Sequence, residues 1–149
     1  WGKRGLHGGS SLFKIKLKYF KDFIKKVSWH ESTCRSIMFE IFNKEFDRFY
    51  SKTLKNRNNK RLELDCYNND LKINIEYDGI QHFEFPNWIH KTEQQFIRQQ
   101  ENDYDKDQWC VNNGILQIRV SYKYDTKEEI KNYIIQELNK NGYNIQQAA

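Results

Sequence analysis

The sequence predicts an α/β fold, a mixed β-sheet flanked by helices in the order helix, β-hairpin, helix, strand, helix. Three observations predict it. Residues 61 to 78 hold two short alternating runs, RLELDCYN and INIEYD, joined through an Asn-Asn-Asp turn. Helical patterns with capping signals stand on both sides of this hairpin. A last apolar run, ILQIRVS, follows the second of them, so a helical crossover can lay it parallel to one strand of the hairpin.

The opening WGKRGLHGGSS has the glycine and serine content of a flexible arm or a scar, and residues 1–12 are set outside the fold. A start at Trp1 in place of Met is what a fragment or a processed product would show. FKIKLKYF then alternates apolar residues with lysine, and KDFIKKV begins a helical pattern. Ser28 with Glu31 has the form of a capping box, and Cys34, Ile37, Met38, Ile41 and Phe42 recur at helical spacing, which predicts a first helix over about 29–47. The next segment, SKTLKNRNNKR, reads as a basic loop carrying Lys52, Lys55, Arg57, Lys60 and Arg61 with no acid among them. Its place just before an acidic strand makes it a candidate phosphate-contacting surface.

After the hairpin come Gly79 and an irregular stretch with the single proline, Pro86. Thr92 with Gln95 opens a helix that continues through Phe96, Gln100, Asp103, Lys106 and Cys110 to a stop at Asn113-Gly114. Leu116, Ile118 and Val120 share one face of the strand at 115–121. Thr126 with Glu129 opens the last helix, striped by Ile130, Tyr133, Ile134 and Leu138 and closed before Gly142. This describes one domain over 13–140 and a tail at 141–149.

At 149 residues and a net charge of +5, the chain is long enough for one real core, and its basic surplus favours an anionic partner such as nucleic acid. No apolar run approaches the roughly 20 residues needed to span a bilayer, and no secretory pattern opens the chain. Cys34, Cys66 and Cys110 are odd in number and too widely spaced for a metal knuckle, so they read as reduced core thiols of a reducing compartment. The abundance of Asn, Lys, Ile and Tyr, whose codons can be AT-rich, points toward a viral, organellar or mobile source.

The hairpin carries the chemistry. A period of two places Leu62, Leu64, Cys66, Ile73, Ile75 and Tyr77 on one face, and Glu63, Asp65, Asn74, Glu76 and Asp78 on the other. Clustered carboxylates repel one another and raise one another's pKa, so such a face calls for a cation or for solvent. Magnesium is the usual reason, because it is held by a few carboxylates while water and substrate oxygens complete its shell. Hydrolysing a phosphodiester needs an activated water and a stabiliser for the growing charge, and a bound divalent ion supplies both.

Asp65, then Glu76-x-Asp78, then Gly79-x-x-His82, resembles the PD-(D/E)XK nuclease superfamily, and most closely its Vsr-like branch of repair and homing endonucleases and proteins of large DNA viruses. The resemblance spans residues 28 to 122. It implies a restriction-endonuclease-like core of helix, three strands, helix and strand, and DNA cleavage that depends on Mg²⁺ or Mn²⁺. By the same resemblance Asp65 and Glu76 are the metal-binding acids; Asp78, two residues on and on the same face, completes the metal set, although it stands where many members carry lysine. Lys106, on the following helix, is the candidate replacement. Glu31 matches an early helix acid, or else it is the reciprocal partner of Ser28 in the capping box. His82 is a candidate for contacting DNA or assisting the water, whereas His82 and His90 share no face that would make them a metal pair. The rival expectation is a domain of this fold that binds nucleic acid or serves a larger assembly or homodimer without turnover.

Overall fold

The computed structural model describes residues 29–85 and 92–147. The arm at 1–12, the alternating run at 13–20, Ser28, Pro86, His90 and the last two residues of the tail lie outside the described residues. The element order is α1 (Trp29–Phe42), β1 (Asp47–Lys55), β2 (Arg61–Asn68), β3 (Ile73–Asp78), a short 3-10 turn (Ile80–His82), α2 (Glu93–Asn112), β4 (Leu116–Ser121) and α3 (Lys127–Lys140). The four strands form one open sheet in the order β1-β2-β3-β4. The first two pairings are antiparallel, and β3 runs parallel to β4 through the α2 crossover, as the sequence leads one to expect.

Two segments depart from the sequence reading. The first helix ends at Phe42 instead of about 47, because Asn43 takes a left-handed conformation (φ 51°) and its amide closes the helix on the Phe39 carbonyl. The chain after it is not a loop. Residues Asp47–Lys55 pair with β2 as an edge strand, and only 56–60 turn. Asn56 builds that turn: its side-chain oxygen accepts the amides of Asn58 and Lys60, and Asn59 adopts φ 61°. Lysines alternating with Ser, Thr and Leu carry little apolar signal, which is how an edge strand can pass for a loop.

The sheet is covered on both faces. On one, α1 and α3 bury Cys34, Ile37, Met38, Ile130, Ile134 and Leu138 against Cys66, Ile73, Ile75, Ile118 and Val120. Tyr143 and Ile145, read as tail from sequence, also pack against this core. On the other, α2 brings only Cys110 and Trp109 to a smaller cluster with Leu54, Leu64, Tyr67 and Ile115. Thr92 and Thr126 cap α2 and α3 in reciprocal capping boxes with Gln95 and Glu129, and Gly114 (φ 66°) takes the chain out of α2.

Leu62 and Leu64 therefore do not share a face with Cys66. Between the pairs Asp47–Tyr67 and Phe49–Leu64, β1 advances two residues while β2 advances three, so β2 carries a bulge at 65–66. The extra residue reverses the alternation. Leu62 and Leu64 pass to the α2 side, while Cys66 stays under α1. All three cysteines are buried and unpaired, and burial first of all pushes the Cys34 thiol up to about 12.

Candidate active site between the sheet and α2

The bulge puts Asp65 where regular pairing of β2 with β3 ends. The β2–β3 ladder runs from Asn68–Ile73 to Cys66–Ile75, and the next amide, Asp65 N–H, donates to Glu76 Oε1 at 3.2 Å instead of to a backbone carbonyl. The same Glu76 oxygen accepts Asn74 Nδ2 at 2.9 Å, and Glu76 Oε2 accepts Lys106 Nζ from α2 at 2.8 Å. Glu76 is 3% exposed and Asn74 fully buried. Three residues from two strands and a helix thus hold one carboxylate in a single orientation.

Asp65 and Glu76 divide their protons unequally. Burial and then the nearby Glu76 carboxylate push Asp65 up to about 8, so Asp65 holds a proton at neutral pH and hydrogen-bonds to Glu76. Burial also acts to raise Glu76, but the Lys106 charge and the hydrogen bonds from Asp65, Lys106 and Asn74 outweigh it and hold Glu76 below its ordinary value. Lys106 is raised for the converse reason: burial works against its charge, and the Glu76 and Asp65 carboxylates prevail.

Asp78 faces the same layer but is taken by another partner. Arg119 Nη1 of β4 donates to Asp78 Oδ1 at 2.7 Å, and the rest of that guanidinium bonds Asp107 and the Asp103 carbonyl. Burial, only partly opposed by Arg119 and His82, leaves Asp78 raised. His82 Nδ1 lies 2.7 Å from Asp103 Oδ2 and 3.8 Å from Asp78 Oδ1, and Gln99 donates to Asp103 Oδ1 at 2.9 Å. From Asn74 the network continues to Gln117 at 2.7 Å and on to Asp107, so a chain of polar side chains joins both carboxylate groups beneath α2.

Glu31 does not reach this pair. Its carboxylate is gripped by Arg35 one turn on and, at 3.1 and 3.2 Å, by both ends of the Arg48 guanidinium from β1. Arg35 also donates to the Asp65 carbonyl at 2.8 Å, which anchors the bulge to α1. In the basic segment Lys52 and Lys55 lie on β1, Arg61 opens β2, and Lys60 ends the turn. Arg57 is committed elsewhere, forked onto Asp105 and reaching Glu101 on α2.

Sequence reasoning missed Arg119, Asp103, Arg35 and Arg48 as members of the layer. Arg119 was within reach, since it lies between Ile118 and Val120 and must face away from them. The two arginines on Glu31 carry no comparable signal, because their meeting depends on β1 being a strand.

The donor set suits a hard divalent ion. Asp65 and Glu76 offer two adjoining carboxyl groups, the first raised and the second lowered, and Mg²⁺ is commonly bound through one or two carboxylates plus substrate phosphates and water. Asp65, with Lys106 beside it, lines a cavity of about 290 Å³ between the β1–β2 hairpin and α2, while Glu76 lies buried behind them. Among the described residues no three acidic, histidine or cysteine side chains are gathered to hold a metal, and Asp78, with its Arg119 partner, does not join the pair.

The chain is similar to uncharacterised proteins of viruses. The chain is 39% identical to the uncharacterised protein 094L of frog virus 3 (isolate Goorha) over 106 residues, 70% of this chain and 66% of that protein. It is 36% identical to the uncharacterised protein 307L of invertebrate iridescent virus 6 over 106 residues, 70% of this chain and 52% of that protein. It is 31% identical to the uncharacterised protein 033L of invertebrate iridescent virus 3 over 93 residues, 62% of this chain and 48% of that protein. The chain thus spans about half the length of the last two. No family model matches it, and no solved structure matches it significantly.

Proposed function

We propose that the chain is a Mg²⁺- or Mn²⁺-dependent endonuclease domain that hydrolyses phosphodiester bonds of DNA. The observation that carries this reading is Lys106 Nζ at 2.8 Å from Glu76 Oε2. In the sequence motif the lysine is missing, with Asp78 in its place. Lys106 brings an ammonium from α2 to the same carboxylate, beside Asp65. The element order, helix, three strands, helix and strand, is also the order that the PD-(D/E)XK resemblance implies, and it supports a restriction-endonuclease-like assignment.

In this reading Asp65 and Glu76 hold the ion, and Asn74 and the Asp65 amide keep the Glu76 carboxylate aimed. A bound divalent ion supplies Lewis acidity and an activated water. Asp65, whose pKa burial and Glu76 raise, would have to give up its proton to serve as a ligand. Lys106 would offer a phosphate a positive donor, and His82, held by Asp103, is the candidate proton acceptor or phosphate contact. Lys52, Lys55, Lys60 and Arg61 bring the DNA backbone to a site whose own carboxylates repel it.

A second reading draws on one specific observation. Asp78 is tied to Arg119, which favours a domain that keeps the fold for nucleic-acid binding or assembly without turnover. The two part in a single assay: supercoiled plasmid incubated with the protein and Mg²⁺, Mn²⁺ or EDTA. Nicking with either ion but not with EDTA, lost in Asp65→Ala and Glu76→Ala while DNA binding persists, is the expected result. Wild-type nicking in either variant rules out the site assignment.

A further inference from the structure

The positive charge of the chain does not reside in the body that carries the candidate site. Residues 1–28 hold eight lysines and arginines against a single acid, Asp22, a net of +7. The described residues, 29–85 and 92–147, hold sixteen against nineteen Asp and Glu, a net of −3, and Lys91 makes up the +5 of the whole chain. Nine of those sixteen cations are ion-paired to acids, among them Arg48, Arg57, Lys106 and Arg119. The folded body therefore repels a polyanion overall, and the hairpin lysines work against that field.

The place where the leading residues join this body is fixed. His30 stacks on Tyr77 with ring centroids 4.1 Å apart, its Nε2 lies 2.7 Å from Asp125 Oδ1, and Trp29 meets the His30 ring edge-on. Tyr77 stands between Glu76 and Asp78 on β3, and its hydroxyl donates to the Tyr124 carbonyl at 3.1 Å. Helix α1 thus begins beside the end of β3 that carries Asp78. The fifteen residues 13–27 precede it and include Lys14, Lys16, Lys18, Lys21, Lys25 and Lys26. Fifteen residues reach up to about 50 Å, against a radius of gyration of about 13 Å for a body of this size, so from Trp29 they come within range of the carboxylate site.

We propose that these six lysines are the main phosphate contact of the chain, gripping the DNA backbone while the anionic body presents Asp65 and Glu76. A block of like charge with almost no acid is the composition of a nucleic-acid-binding arm. The division of labour has a physical reason. A cation built in beside the acids of the body becomes their partner, as Lys106 and Arg119 do, and is spent on them. The leading residues have only Asp22 to offer their eight cations, so their charge supplies affinity without neutralising the carboxylates of the site.

The inference rests on the DNA reading above but not on turnover, and the test keeps the two apart. The full chain is compared with a variant in which all six lysines are replaced by glutamine, using fluorescence anisotropy of a labelled short duplex in EDTA over a range of salt. At about 0.9 per phosphate contact, the slope of log affinity against log salt should flatten by roughly 5 units, about twice the change expected from replacing Lys52, Lys55 and Lys60. Replacing the same six by arginine should keep the wild-type slope, because the charge is kept. Glutamine at Lys14, Lys16 and Lys18 alone, or at Lys21, Lys25 and Lys26 alone, should give about half the change, so a folding defect in the full set does not hide the result. An unchanged slope in the glutamine variants, a change smaller than that of the hairpin, an equal change with arginine, or no DNA binding by wild type overturns the proposal. So does loss of binding to anionic phospholipid vesicles with DNA binding untouched, which assigns the lysines to a lipid surface. A flattened slope without plasmid nicking by wild type removes the nuclease reading and leaves this contact standing; nicking with an unchanged slope removes the contact alone.

Discussion

Beneath α1 and α3 the sheet is hydrocarbon, with Ile37, Met38, Ile75, Ile130 and Ile134 almost fully excluded from water. Beneath α2 it is polar, with Asn74, Glu76 and Asp78 equally buried but tied to Lys106, Gln117 and Arg119. Both faces are closed to solvent, yet they differ in what closing them costs. Apolar surface gains free energy from leaving water, whereas each buried charge must recover its lost hydration from a partner. The first face stabilises the fold and the second spends part of that stability to hold reactive groups in place. Helix α2, which contributes only Cys110 and Trp109 to an apolar cluster, is held largely by those polar partners.

The comparison is broken most severely at Arg119. Arg119→Ala strands Asp78, only 4% exposed, without its cation, and the loss should be about 3–5 kcal/mol in urea unfolding. Adding Asp78→Ala should recover a large part of it. No recovery would mean that Arg119 acts through Asp107 and the Asp103 carbonyl instead.

On the hydrocarbon face, Ile37→Ala or Ile134→Ala should cost about 2–5 kcal/mol through lost burial and the cavity left behind. Stability should be their only casualty. On the proposed reading, a purified variant that remains folded should cleave and bind DNA to the same extent as wild type, and a selective loss of activity would erase the distinction between the faces.

The third test uses pH. The folded pKa of Asp65, about 8, lies above the ordinary 3.8, so its contribution is fully present below about 4 and is lost as pH rises toward 8. Glu76 is lowered and its contribution grows as pH rises through the carboxylate range near 4.5, so the fall above that range belongs to the raised carboxyls, Asp65 first and Asp78 with the same sign. Unfolding free energy without divalent ion should decline by up to about 1.4 kcal/mol per pH unit over that window. Asp65→Asn should flatten the decline, and Mn²⁺ should offset it in wild type only. An unchanged slope in Asp65→Asn would show that the proton resides elsewhere.

The smallest effect is expected at the rim. Arg57 is exposed and paired with Asp105 and Glu101, so Arg57→Ala should change stability least of all, since exposed ion pairs are screened by solvent. Its removal should also leave the salt dependence of DNA binding unaltered. Replacing Lys52, Lys55 and Lys60 together should instead flatten the slope of log affinity against log salt by about 2 to 3 units.

Local sequence was sufficient wherever one element decides its own structure. The alternation of β3 and β4, the stripe of α3 and the capping boxes at Thr92 and Thr126 are short-range patterns, and the structure holds each of them. Putting Asp65 and Glu76 on neighbouring strands follows from the same counting. β1 was not legible, because an edge strand with one buried residue, Leu54, carries too little apolar periodicity to be seen.

Tertiary structure decided the rest. The bulge that re-aims Asp65 is visible only in the pairing of β2 with β1, since one extra residue has no mark in a single strand. The choice of partner for each carboxylate is likewise a matter of distance in space: Lys106 for Glu76, Arg119 for Asp78, Arg35 and Arg48 for Glu31. Sequence by itself determined which residues are acids and, on the regular strand β3, which face they occupy, because unbroken alternation is a property of the backbone. Which of those acids keeps a proton, which is neutralised and which remains available depends on burial and on charges brought from other elements, and those exist only once the chain has folded.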